Sequence, residues 1–146
     1  MPERQTIDRA RQDAREGKFP STQAGEFVRE EMHHIREGKH GARSTKQAIA
    51  IGLSKARRSG VKLAATESAA TRKKAAQDTR AARSKRKIST TRSRATTKAL
   101  EREPHAAASS RALARQAKTS AAKRGAGARR QSARKAAATR AREEAA

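Results

Sequence analysis

Two kinds of side chain in this 146-residue chain have the types and spacing to do chemistry. The first is the run Glu30-Glu31-Met32-His33-His34, which reads twice as Glu-x-x-His, from Glu30 to His33 and from Glu31 to His34. On a helix that spacing puts two ligands on one face, as in the di-iron sites of helical bundles. Those sites need a second copy on a facing helix and further inward glutamates, and the sequence holds no copy beyond residues 30–40. The histidines are therefore expected on a solvated surface, with Glu30–His34 and His33–Glu37 as weak i,i+4 pairs. No metal and no cofactor is expected.

The second kind is cationic. Basic residues recur as Arg72-Lys73-Lys74, Arg80, Arg83, Lys85-Arg86-Lys87, Arg92, Arg94 and Lys98. They continue as Arg111, Arg115, Lys118, Lys123-Arg124, Arg129-Arg130 and Arg134-Lys135. Such side chains neutralise phosphates and release condensed counterions, so log K falls by about 0.9 per contacted phosphate per log unit of salt. About eight contacts would remove about four decades of affinity between 50 and 200 mM salt. A single short run of this kind is usually a solvated face. Here 37 Lys+Arg stand against 14 Asp+Glu, a formal charge of +23, and a polyanion partner is expected.

Other classes fall away. Without cysteine there is no disulfide scaffold, thiol catalysis or cysteine-ligated zinc. Two phenylalanines and no Trp or Tyr leave nothing on which to stack unpaired bases. No glycine-rich phosphate loop, nucleophile–base pair or paired carboxylates in an apolar setting can be assembled, so no catalytic residue and no enzyme is expected. The longest apolar stretch, Ala48 to Leu53, is far short of the ~20 residues a membrane span needs. Membrane-surface binding is disfavoured for lack of an apolar insertion face. The N-terminus leads into no secretory apolar run, and the expected location is cytoplasmic.

The elements that would position these groups divide near residue 63. Residues 1–63 hold 12 of the 15 large apolar residues and a net charge of +6, whereas residues 64–146 hold three and a net of +17. The fold class expected is all-α, a three-helix head over 4–63 followed by a basic low-complexity tail that is disordered or conditionally helical. The helices are placed at about 6–16, 22–37 and 45–58, capped by Thr6, Ser21 and Ser44 and stopped by Gly17, Gly38 and Gly60. Ser44 and Gln47 form a capping box. The expected core faces are Ile7, Ala10 and Ala14; then Ala24, Phe27, Val28, Met32 and Ile35; then Ile49, Leu53 and Ala56. Alternation from Ala48 to Leu53 also fits a strand, but the capping box and Gly60 favour a helix. Ile51 points about 200° away from Ile49 on that helix, an exposed isoleucine or, as the less favoured alternative, a second buried face in a homodimer.

In the tail, residues 64–91 read as a basic linker, 92–125 as a helical-hairpin-like segment broken at Pro104, and 126–146 as disordered. Ile88, Leu100 and Leu113 are too far apart to form one stripe, so no docking face is expected. The second and third helices also suggest a helix-turn-helix, with Thr45, Lys46 and Gln47 as candidate helix-start contacts. The connection from Gly38 to Ser44 is longer than the usual 3–4-residue turn, which favours an ordinary helical hairpin.

The stretch Gly38 to Arg58, GKHGARSTKQAIAIGLSKARR, resembles a family of small, basic, uncharacterised bacterial proteins. Arg92 to Gly125 is similar to that family's C-terminal segment, with Glu103-Pro104-His105 replacing a more basic junction. The resemblance implies a bacterial source and no activity. By composition the tail is similar to linker-histone-like proteins that coat DNA. The function expected is sequence-independent binding of duplex DNA through phosphate contacts, with structured RNA as the alternative ligand. A different class is an adaptor docking a protein through Phe27, Val28, Ile49 and Leu53 of the head. No small-molecule ligand is expected.

Overall fold

A computed structural model describes residues 2–64, 68–84 and 89–145. Among them are seven α-helices and no strand: α1 (Arg4–Arg15), α2 (Pro20–Arg36), α3 (Thr45–Arg58), α4 (Ala69–Arg83), α5 (Thr90–Glu101), α6 (Ser110–Lys123) and α7 (Ala126–Glu144). A 3-10 turn, His105–Ala108, lies between α5 and α6. The chain forms two compact units, Met1–Ser109 and Ser110–Ala146.

The three expected head helices are present, and Gly17, Gly38 and Gly60 end them at φ +70°, +75° and +97°, where a side chain would be strained. Their starts differ from expectation. Glu3, not Thr6, precedes α1, and Thr6 is buried one turn in. Pro20, whose fixed φ suits the first turn, opens α2, with the Phe19 carbonyl accepting from Thr22 N and Gln23 N. At α3, Ser44 Oγ accepts from Gln47 N at 3.2 Å, while Gln47 Oε1 accepts from Arg43 N rather than closing on Ser44. The strand alternative for Ala48–Leu53 is thereby excluded.

The packed face of α3 is a correction. Thr45, Ala48, Gly52 and Ala56 are its buried stripe, while Ile49, Ile51 and Leu53 are half-buried. Small residues win because α2 approaches closely: a Cβ on Gly52 would lie 2.8 Å from Val28 Cα. Leu53 instead borders a core of Ala10, Ala24, Phe27, Ala56 and Val61, with Ile7 and Leu63 around it. Ala14, expected on the inner face of α1, is exposed.

The larger correction concerns residues 69–84 and 89–109, which are not a disordered tail. They belong to the first unit and are held with few large apolar residues. On α4, Ala75 and Asp78 are buried. Asp78 accepts from Ser54 Oγ at 2.8 Å and from Arg58 Nε at 3.0 Å, both on α3, and from Lys74 Nζ at 3.3 Å. The segment around the 3-10 turn is fastened by backbone. Gly41 N donates to Leu100 O (2.8 Å), Ala42 N to Pro104 O (3.1 Å), Thr45 Oγ1 to Ala107 O (2.6 Å) and Arg36 Nε to Ala108 O (2.9 Å). Ala107 and Ala108 are buried. Gly41 is indispensable here, since a Cβ would sit 1.8 Å from Glu103 O.

The second unit is helical too, although no residue of α6 or α7 is buried. Ala, Arg and Lys are good helix formers. The Ser and Thr residues that would compete with a helix turn their hydroxyls back onto it: Thr119 donates to Arg115 O, Ser132 to Ala128 O and Thr139 to Lys135 O.

Candidate nucleic-acid interface

Helical periodicity sorts the cations into faces. On α4, with Thr71, Ala75 and Asp78 turned inward, Arg72, Lys73, Arg80 and Arg83 fall within about 100° of one another on the outward side. Lys74 departs from that face and pairs with Asp78. On α6, Arg111, Arg115 and Lys118 are exposed at i, i+4 and i+7, a stripe about 60° wide and about 10 Å long. The opposite side of α6, with Ala112, Leu113, Gln116 and Ser120, is half-buried. Arg129, Arg130, Arg134 and Lys135 are exposed all round α7, and Lys123 and Arg124 are exposed where α6 ends. Arg92, Arg94 and Lys98 are exposed on α5, where Arg94 and Lys98 line a shallow open depression with Ser93, Thr97 and Glu101. Lys85, Arg86 and Lys87 lie outside the described residues.

The helix-start set is divided. Lys46 is exposed, but Gln47 Oε1 is engaged with Arg43 N. Thr45 is buried with its hydroxyl on Ala107 O, so it is not presented to a phosphate.

Carboxylates of the first unit are engaged by the unit's own bases. Asp13 and Glu16 meet Lys18, Glu26 meets Arg9 and Arg29, and Glu37 meets Lys39. The Lys18 ammonium is held well above its ordinary range by Glu16 and then Asp13. His34 and then Lys39 hold Glu3 below the carboxylate range, and Lys39 does the same to Glu37. These acids are consumed locally. The second unit carries 11 Lys+Arg against Glu143 and Glu144, a net of +9 over 37 residues.

The Glu-x-x-His run is also corrected. His33 is exposed and pairs with Glu37 at 2.9 Å, as a solvated i,i+4 contact would. Glu30, Glu31 and His34 are buried, and His40 joins them half-buried from the loop after α2. Lys55 of α3 reaches in, 2.7 Å from Glu31 Oε2 and 3.2 Å from Glu30 Oε1. Sequence spacing could not reveal this cluster, because His40 and Lys55 join it only through the fold. Among the described residues Glu31, His34 and His40 are the one trio of His and acidic side chains whose donor atoms converge, within 4.8 Å of one another.

Fold and surface together define an all-helical, strongly basic protein, and no described helix is long and apolar enough to cross a membrane. Residues 18–66, which carry α2 and α3, match a family of unknown function (DUF6496). No curated protein and no solved structure matches the chain.

Proposed function

We propose that this is a non-enzymatic protein that binds duplex DNA through phosphate contacts, largely without reading sequence, in the manner of bacterial linker-histone-like nucleoid proteins. The observation that carries the reading is the exposure of cationic faces on α4, α6 and α7 in a chain whose acids are largely engaged elsewhere. Arg111, Arg115 and Lys118 step along α6 at about 6 Å and then about 4.5 Å, close enough for neighbouring side chains to hold successive phosphates. The first unit supplies a folded anchor that projects Arg72, Lys73, Arg80 and Arg83 from α4. Phe27 is 1% exposed and serves the core, which removes one of the four side chains an adaptor would offer to a protein partner.

Titration on duplex DNA and on structured RNA across about 50–300 mM salt tests the reading. A steep slope on duplex DNA, indifferent to sequence, supports it. A preference for RNA moves the assignment to that ligand. Loss of all binding at physiological salt overturns both.

A further inference from the structure

The buried acid–histidine cluster has no part in phosphate binding, and its chemistry is of another kind. We propose that Glu31, His34 and His40 form a binding site for one divalent first-row transition metal ion, of which Zn²⁺ is the natural probe.

The charge balance points there first. Glu30 and Glu31 are buried with side-chain exposures of 3% and 0%, and among the described residues Lys55 is the one ammonium that reaches both. Two buried carboxylates against one cation leave a net negative charge, inside a chain whose total is +23. Uncompensated buried charge costs several kcal/mol. Glu31 is the unsatisfied member. Neither of its buried oxygens has a hydrogen bond: Oε2 has the Lys55 ammonium at 2.7 Å as an ion pair, and Oε1 has His40 Nε2 at 3.5 Å, beyond bonding range.

The hydrogen bonds of the two rings point the same way. His40 Nδ1 is 3.1 Å from Gly41 O, which can only accept, so Nδ1 carries the proton. In the neutral ring this leaves a lone pair on Nε2, which lies 3.5 Å from Glu31 Oε1. Two acceptors 3.5 Å apart repel unless a cation joins them. His34 repeats the device: Nε2 lies 2.8 Å from Glu3 Oε1, which fixes the proton there and leaves Nδ1 as a donor to metal. A ligating histidine typically gives its other N–H to a carboxylate or backbone carbonyl, and here one ring has each. The ring centroids are 6.1 Å apart and nearly perpendicular, an arrangement in which both rings can face one ion.

Two imidazoles and one carboxylate suit Zn²⁺, Ni²⁺, Cu²⁺ or Fe²⁺ and not Mg²⁺ or Ca²⁺, which prefer oxygen alone. Metal–ligand bonds of about 2.0–2.1 Å place tetrahedral ligands about 3.4 Å apart, the present His40–Glu31 separation. The trio's donor atoms, within 4.8 Å of one another, close by up to about 1.4 Å to complete the set. Three protein ligands leave a fourth position for water. Lys55 need not leave, because it occupies Oε2 while the ion takes Oε1. The ion would join the end of α2 to the loop whose Gly41 and Ala42 hold residues 100–104, so binding stiffens the attachment of that segment.

The test uses the untagged, metal-stripped full chain in equilibrium dialysis and calorimetry with Zn²⁺, and with Mg²⁺ as control. One Zn²⁺ per chain, no Mg²⁺, and affinity at least tenfold weaker in His34→Ala and in His40→Ala is the expected result. His33→Ala, an exposed neighbour, leaves affinity unchanged. Circular dichroism reports whether each variant folds. Should one fail, the visible spectrum of Co²⁺ on the unaltered protein decides, with four-coordinate nitrogen–oxygen absorption expected. Absence of stoichiometric Zn²⁺ uptake, uptake that ignores both histidine substitutions, or a six-coordinate aquo-like Co²⁺ spectrum would overturn the site.

Discussion

Helices α4 and α7 are built from nearly the same alphabet, yet one buries a face and the other buries nothing. Both are built mainly of Ala and basic residues, and neither holds a large apolar residue. What separates them is one acid in the right place. Asp78 stands midway along α4, opposite Ser54 and Arg58 of α3, and a single alanine, Ala75, fills the contact beside it. In α7 the acids are Glu143 and Glu144, in the last turn. A basic helix can therefore be docked without a hydrophobic stripe, provided its attachment is polar and buried. Where that attachment is missing, as in α7, no residue of the helix is buried.

Substitutions that separate these roles have effects of very different size. Replacing Arg111, Arg115 and Lys118 of α6 together by alanine removes up to three phosphate contacts. At about 0.1 M salt the loss is about 500-fold in affinity for duplex DNA, and the salt slope falls by about 2.7. Filter binding or fluorescence anisotropy against salt measures both, and the melting temperature of the first unit stays fixed. A slope that does not change would mean the α6 stripe is not a phosphate contact. Gly41→Ala strikes the docked region instead. Its Cβ overlaps the Glu103 carbonyl, and the expected destabilisation is about 3 kcal/mol, at the upper end for overpacking, read by thermal melting.

Asp78→Ala is milder, about 2 kcal/mol, because Arg58 and Lys74 are half or more exposed and regain water when their partner goes. Hydrogen exchange should then rise throughout α4 while the amides of α2 and α3 remain protected. Equal loss in all three helices would show that α4 is part of one cooperative core and not a latched addition.

The same contrast explains what could be read in advance. Periodicity and glycine stops located α1 to α3 because those signals are local: a positive φ at Gly38 is required whatever packs nearby. The spacing of Ile49, Leu53 and Ala56 predicts one inner face for α3; Ala56 is buried there and Leu53 borders the core, while Ile49 is only half-buried. Between closely approaching helices the smallest residues lie at the contact, so Ala48, Gly52 and Ala56 outrank the isoleucines. The docking of α4 was missed for another reason. A search for apolar stripes cannot see an aspartate, although Asp78 is the sole acid between Glu67 and Glu101 and that isolation was visible. His40 gave no signal at all, since only the turn after α2 brings it to Glu31. The exposed cations were legible as a set, but their division among helical faces depended on knowing which faces were occupied.

Acid sharpens the comparison further. Burial alone would raise the Asp78 carboxyl, but hydrogen bonds from Ser54 and Arg58, with the charge of Lys74, outweigh it and hold the group below its ordinary value. A carboxylate lowered in the folded state contributes stability above its unfolded value, about 3.9, and that contribution fades as pH falls through the folded one. Exchange protection of α4, corrected for intrinsic rates, is therefore level from about pH 7 to pH 5 and declines below about pH 4. Asp78→Asn should flatten this dependence.

The smallest effect belongs to α7. Arg134→Gln, on a helix with no buried residue, changes stability by less than about 0.5 kcal/mol, while lowering the DNA salt slope by up to about 0.9. The pair of measurements discriminates because a structural cation and a binding cation fail in different ways. A residue that holds the fold alters the melt in the absence of DNA, whereas one kept for phosphate alters only the slope. Should Arg134→Gln lower the melting temperature by several degrees, α7 would have a docked face after all. A buried mid-helix acid such as Asp78 would then not be what separates a docked basic helix from an undocked one.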